Sequence, residues 1–270
     1  MRQKAMTAPG VAAHFTSAEL IENATTAPAT AINPLPGATL VVTSSRLPAT
    51  CHDRSMRLNL TADELLSTTR SVRKRLDFDR PVEREIVEEC FELALQAPTG
   101  SNRQGWQFVV VEDDDIKRQI AEIYAANFYE YAAMPRPEYG ENDTRTDRGD
   151  AVASSASYLA DNFHRVPLMM IPCIEGRLDN AGVMMGASAW GSLLPAVWSF
   201  MLALRERGLG SAWTTLHMLH DGEQRVAELV GIPADKYSQS GLFPIAYTRG
   251  TDFKPAPRLP LDNVVHWGRW

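Results

Sequence analysis

The sequence predicts a mixed α+β domain, on three observations. Apolar residues recur at helical spacing in several segments, and three short runs rich in β-branched and aromatic residues separate them. The order of these pieces gives no clear βαβ series, and no Gly-x-Gly-x-x-Gly follows a strand. Gly208 and Gly210 make only a Gly-x-Gly, placed behind a helix, so a Rossmann fold is unsupported.

Taken in order, residues 1–55 stand apart. They hold four Lys/Arg and three Asp/Glu, are rich in Ala, Thr and Pro, and show no apolar period beyond "ATLVVTS". They are expected to be a disordered extension, and Met56 is a candidate alternative start for a domain spanning 56–270. "TADELLSTTR" then pairs Thr61 with Glu64 as a capping box and delivers Arg70 and Arg73 to the end of a short helix. In "DRPVEREIVEECFELALQAP", Val82, Ile86, Cys90 and Ala94 form one stripe bounded by Pro81 and Pro98, which makes Cys90 a core residue. "WQFVVVE" reads as a buried strand. Ile116, Ile120, Ile123, Tyr124 and Tyr131 then mark another helix, and the polar stretch from Pro135 to Asp150 a mobile loop or lid. "VPLMMIPCI" and "GLFPIAYT" are further strands, with "DGEQRVAELVGIP" a short helix between them.

The segment 180–211 carries no charge between Asp179 and Arg205, which raises the question of a membrane span. Pro195 fits best in a first helical turn, so the helix is expected to begin near Leu194 and stop before Gly208. About thirteen residues would then span roughly 20 Å, short of a hydrocarbon core. A buried helix is the expectation. The glycines and small residues ahead of it read as a turn-rich approach.

Composition excludes other classes. A net charge of −6 disfavours nucleic acid and anionic membrane surfaces. Cys51, Cys90 and Cys173 are too few and too widely spaced for a disulfide framework or a CxxC metal site, and fit a reducing cytoplasm. His217 and His220 lack companions that would complete a zinc set, so packing or surface roles are expected and no metal site is assigned.

Three polar pieces remain. Arg70 and Arg73 in "RSVRKR" can converge on one anion, or belong to a solvated basic surface. "APTGSNRQGW" offers amides and hydroxyls to a polar heterocycle, or is simply a turn. "KPAPRLPL" carries Lys254 and Arg258 on an extended tail.

Together with "PAVWSFMLALRERGLGSAW", "ELVGIP" and "FPIAYTRGTDF", these pieces resemble the FMN-dependent nitroreductase family in order and spacing from about Leu60 to Trp270. The resemblance implies a three-layer α/β/α sandwich with a central mixed, mainly antiparallel sheet, built as an intertwined homodimer. It implies that Arg70, Ser71 and Arg73, with Arg258 and Lys254 from the tail, hold the FMN phosphate and ribityl chain. Pro98, Thr99 and Gly100 would approach the flavin from the partner, Asn102 would hydrogen-bond its pyrimidine side or the ribityl hydroxyls, and Trp213, Thr214, Thr215 and Leu216 would run past its N5 and O4 edge. This sequence departs from the family pattern at Gly105, where a proline commonly follows the glutamine, at Trp198-Ser199 in place of Gln-Asn, and at Ala256 in place of a basic residue. Trp198 is expected in the core.

The activity implied is hydride transfer from NADPH or NADH through FMN to a nitroaromatic or quinone, at a site shared between two subunits. The flavin carries the chemistry, so no side chain is assigned as catalytic. Selectivity would come from a lid over about 126–150, whose Phe128, Tyr129, Tyr131 and Tyr139 could stack on a ring while Arg136 meets a cofactor phosphate. Dehalogenation, enone reduction or oxygen-dependent dehydrogenation on the same fold, and a non-catalytic FMN-binding module, are the alternatives.

Overall fold

A computed structural model describes residues 57–135, 137–140, 143 and 145–270. The proposed extension 1–55 and Arg136 lie outside them. The helices are α1 (Ala62–Thr68), α2 (Arg84–Ala94), α3 (Asp114–Ala132), α4 (Gly149–Asn162), α5 (Val183–Glu206) and α6 (Gly222–Val230). The strands are β1 (Leu76–Asp77), β2 (Trp106–Val111), β3 (Leu168–Glu175), β4 (Leu209–Gly210), β5 (Tyr237–Gln239) and β6 (Phe243–Thr248). Local chemistry sets several of the ends. The capping box at α1 forms as read, with Glu64 N–H on Thr61 Oγ1 and Thr61 N–H on Glu64 Oε2. Asp113 caps α3 through Ile116 N–H at 2.9 Å, and Gly231, at φ 75°, ends α6 in the left-handed conformation.

Strands run in the order β1-β6-β3-β2, with β4 on β6 and β5 on β3, and every strand pair is antiparallel. One parallel bridge, Ser71 with Ser211, ties the arginine segment to this sheet. Pro172 sits where β3 exchanges β6 for β5 as its neighbour, a break in the ladder that tolerates a residue without an N–H. Side-chain alternation divides the core in two. Val109, Val111, Met169, Ile171 and Cys173 face α3, α4 and α6 on one side. Phe108, Val110, Leu168, Met170, Phe243 and Ile245 face α2 and α5 on the other. Helices cover both faces, which makes three layers and explains why β3 reads as a continuous apolar run rather than an alternating one.

Four expectations change. Helix α5 begins at Val183, eleven residues ahead of Leu194, and holds Pro195 in its interior. Its 24 residues reach about 36 Å at 1.5 Å per residue, so length alone does not exclude a span. Pro195 leaves the carbonyl of Gly191 without its helical donor, and Gly191 is exposed, so that carbonyl is open to water. Burial of its second half, from Ser192 to Arg205, places that half in the core. Trp198 is not a core residue: at 39% exposure it sits on the outer face of α5 and lines a cavity. The first part of the expected lid, from Ala126, is the end of α3, because the helical period runs on to Ala132. Phe128 is buried on that helix against Tyr124 and cannot meet a ligand, whereas Tyr131, counted in the apolar stripe, is exposed.

Candidate functional site

The segment after α1 is held along the start of the 211–219 stretch. Thr69 leaves the helix in an extended conformation, Val72 N–H donates to Ser211 O at 2.8 Å, and Arg249 N–H donates to Arg75 O at 2.8 Å. Pinned at both ends, the segment presents Arg70, Ser71 and Arg73 to a cavity of about 550 Å³ that Arg148, Arg258 and Trp198 also line. Lys74 and Arg75 add further positive charge, and among the described residues no Asp or Glu lines this cavity. Burial, together with repulsion from Arg258 and Arg148, lowers the pKa of Arg70, and burial lowers that of Arg73. Such a wall is built for an anion: guanidiniums crowded together without carboxylates are satisfied by phosphate oxygens.

The other predicted residues form two groups away from this cavity. Pro98, Thr99, Gly100 and Asn102 lie in the connection from α2 to β2, against α5. Gly100 N–H donates to Ser192 Oγ at 3.0 Å, and a Cβ at Gly100 would lie 2.6 Å from Ser188 Oγ, so a larger residue here would have to displace the Ser188 hydroxyl. Ser101, Asn102 and Gln104 all have positive φ, a concentration of left-handed non-glycine residues in one short loop. Lys254 is exposed and lines neither of the two cavities described here.

Trp213, Thr214, Thr215 and Leu216 make the third group. Thr214 and Leu242 exchange both backbone hydrogen bonds, at 3.2 and 2.7 Å, so Thr214 N–H is not available to a ligand. Leu216 N–H reaches Thr214 Oγ1 at a long 3.5 Å. Among the described residues, the amides of Trp213 and Thr215 have no partner. The Trp213 indole donates to Ser240 O at 3.0 Å, beside Gly241, where a Cβ would strike the indole at 2.6 Å.

Residues that sequence reading did not single out hold this group in place. Asn127 on α3 donates from one amide nitrogen to the carbonyls of Leu216, His217 and Leu219 at 2.9, 3.4 and 3.2 Å. His217 is fully buried and bonded through Nε2 to Gln239, which in turn donates to Glu223 O. Glu223 takes two bonds from Arg177, which also grips Asp179. Burial drives the His217 pKa down to about 4 against the opposing pull of Gln239 and Glu223. Burial raises the pKa of Tyr124, against the influence of nearby Thr214 and Arg73, so this side chain lies between the frame and the cationic wall. Nothing in the spacing of these residues announces the frame, because its partners come from α3, α6 and β5.

A second, larger cavity of about 1380 Å³ opens beside the first. Pro137–Tyr139 and residues between Arg145 and Val152 line one side, and residues of the tail between Ala256 and Val264 another; Arg70, Arg148 and Arg258 line both cavities. Of the expected lid residues, Tyr139 lines this cavity and carries Arg145 over its ring at 4.1 Å. Tyr129 is spent on a hydrogen bond to Asp161, and its exposed ring packs on Phe128. Arg148 and Trp198 were not anticipated as lining residues. Among the described residues no group of three His, Cys, Asp or Glu is placed to hold a metal ion.

With the geometry in hand, comparison places the chain. Residues 66–247 match the model of the Nitroreductase family. A protein named NADH dehydrogenase from Thermus thermophilus is 28% identical over 201 residues, 69% of this chain and 87% of its own. An iodotyrosine deiodinase of Thermotoga neapolitana is 25% identical over 203 residues, 74% and 94% of the two chains. Among solved structures, the FMN and NADPH-dependent nitroreductase NfnB from sphigopyxis sp. strain HMH aligns with a TM-score of 0.59 at 26% identity, covering 78% of this chain and all of that one. The chain belongs to the Nitroreductase family, and its fold and family make it an oxidoreductase.

Proposed function

We propose that this protein binds FMN and is an NAD(P)H-dependent oxidoreductase of nitroaromatic or quinone-type acceptors. The observation that carries the reading is the cavity of about 550 Å³ walled by Arg70, Arg73 and Arg258, with no carboxylate in its lining among the described residues. These side chains and Ser71 fit the terminal phosphate of FMN, which needs charge-assisted donors and no competing anion. When bound, the flavin supplies hydride transfer at N5 from the nicotinamide donor and on to the acceptor. The chain's own part is to bind and orient. The amides of Trp213 and Thr215 are the ones positioned to face developing negative charge, and the frame around His217 keeps that segment from relaxing. His217, neutral through burial, serves packing rather than proton transfer.

The reading includes a homodimer in a reducing cytoplasm. Val183, Met184 and Met185 on the first turn of α5, with Leu93 and Leu95 at the end of α2, leave apolar side chains exposed in the single chain. In a dimer these would be covered, and the partner's Pro98–Asn102 loop would complete the pocket. Light scattering should give twice the chain mass; a monomer that retains flavin would remove this part. Free, buried Cys90 and Cys173 are consistent with the compartment.

An absorbance spectrum tests the whole reading. Purified protein should show flavin bands that bleach within seconds of anaerobic NADPH or NADH and return with a nitroaromatic or quinone. Colourless protein that fails to take up added FMN would overturn it. The Thermotoga relative favours one second reading, reductive dehalogenation. Release of iodide from iodotyrosine, outpacing nitroaromatic reduction, would select it.

A further inference from the structure

Most arginines among the described residues are ion-paired; Arg80, Arg205 and Arg269 are unpaired and lie outside the two cavities. In an acidic protein of net charge −6, carboxylates are plentiful, and Arg75, Arg103, Arg165, Arg177 and Arg249 each form an ion pair. Among the described residues, Arg70, Arg73, Arg148 and Arg258 form none, and all four line the two adjoining cavities. Four guanidiniums exceed what one phosphate group requires. Arg148 is the member that comes from the opposite wall, at the head of α4, and it borders the larger cavity as well as the smaller.

That larger cavity has the rest of a nucleotide site. Tyr139 and Arg145 stack at 4.1 Å, and a two-point bond to Asp143 at 2.9 and 2.7 Å fixes the Arg145 guanidinium. The pair is a rigid planar platform whose charge is already balanced, suited to stacking on a heteroaromatic ring. Glu138 and Asp150 also line the cavity, so a phosphate is directed to the side where Arg148, Arg70 and Arg258 stand. At about 1380 Å³ the space exceeds what a single small aromatic acceptor fills. We propose that Arg148 and the Tyr139–Arg145 platform form a second phosphate site, which binds the phosphorylated adenosine arm of the nicotinamide donor. The inference rests on the FMN oxidoreductase reading and adds to it the residues that select the donor.

The test is calorimetric titration of the flavin-loaded protein with 2′,5′-ADP, 5′-AMP and 4-nitrobenzoate, for wild type, Arg148→Ala and Arg148→Lys. Wild type should bind an adenosine phosphate one to one. Arg148→Ala should weaken binding at least tenfold with flavin content unchanged, and Arg148→Lys should recover part of it through charge alone. A preference for 2′,5′-ADP assigns the site to the 2′-phosphate and the donor to NADPH; equal binding of 5′-AMP assigns it to the diphosphate. Either supports the proposal. Three results overturn it: equal binding by wild type and Arg148→Ala, 4-nitrobenzoate binding in place of both nucleotides, or loss of flavin in Arg148→Ala, which would put Arg148 in the first phosphate site. Colourless wild-type protein would instead count against the flavin reading, and the same titration on it would still report the second site.

Discussion

The frame around His217 and the wall around Arg70 are both polar, and they are satisfied in opposite ways. In the frame, Asn127, Gln239, Glu223 and Arg177 find their partners within the chain and hold a segment whose chemistry lies in its backbone. In the wall, Arg70, Arg73, Arg148 and Arg258 have no carboxylate partner among the described residues, and Arg70 is opposed by Arg258 and Arg148, a repulsion that an anionic ligand would relieve. The difference teaches where stability and function separate. Substitutions in the frame should cost folding free energy, and substitutions in the wall should cost binding alone.

The largest effect expected is in the frame. A Cβ at Gly222 would lie 1.9 Å from the His217 carbonyl oxygen, so Gly222→Ala must push α6 away from the segment. A loss of about 3 kcal/mol or more in urea unfolding is expected at any pH; an unchanged midpoint would show that α6 does not fix the segment. Next comes acid. The His217 pKa falls from 6.5 to about 4 on folding, so the unfolded chain binds a proton that the folded one refuses. Stability from this group is whole above pH 6.5 and declines as pH falls towards 4, by up to about 3 kcal/mol. Comparing His217→Gln with wild type between pH 7 and 4 isolates it, since the variant should lose less over that window. A parallel decline in both would assign the acid sensitivity elsewhere. Asn127→Ala, which leaves three carbonyls without their shared donor, should cost about 2 kcal/mol, read from the same unfolding curves. A cost near zero would mean that water replaces the amide.

How far the sequence revealed this contrast follows from its physical basis. Period and capping are local, so the capping box at Thr61, the stripe through Cys90 and the three long strands could be read directly. The wall was visible as "RSVRKR" and a distant Arg258, because an anion site shows its charge in the sequence. The frame was not, since a buried histidine and two amides become informative only when the fold joins α3, α6 and β5. Helix α5 misled for a related reason. Pro195 is a local signal of a first turn, but whether an interior proline is tolerated depends on tertiary setting. Here the carbonyl it leaves without a donor, that of Gly191, belongs to an exposed residue while the second half of the helix is buried. Trp198 was misplaced because aromatic character was taken for burial, although the outer face of α5 turns towards the cavity.

The smallest effect on folding should come from Arg70→Ala, and that makes it the sharpest test of the contrast. In the folded protein Arg70 is opposed by partial burial and by Arg258 and Arg148, with no carboxylate to offset them among the described residues. Without flavin, the variant should therefore melt at the wild-type temperature or slightly above it. With FMN added, wild type should gain stability with ligand concentration as mass action requires, while the variant should need about 10- to 100-fold more FMN for the same gain, the equivalent of one charge-assisted hydrogen bond to phosphate. A variant that melts markedly lower without flavin would show that Arg70 belongs to the frame. One that binds FMN as wild type does would leave Arg73 and Arg258 sufficient for the phosphate and free Arg70, like Arg148, to serve the second cavity.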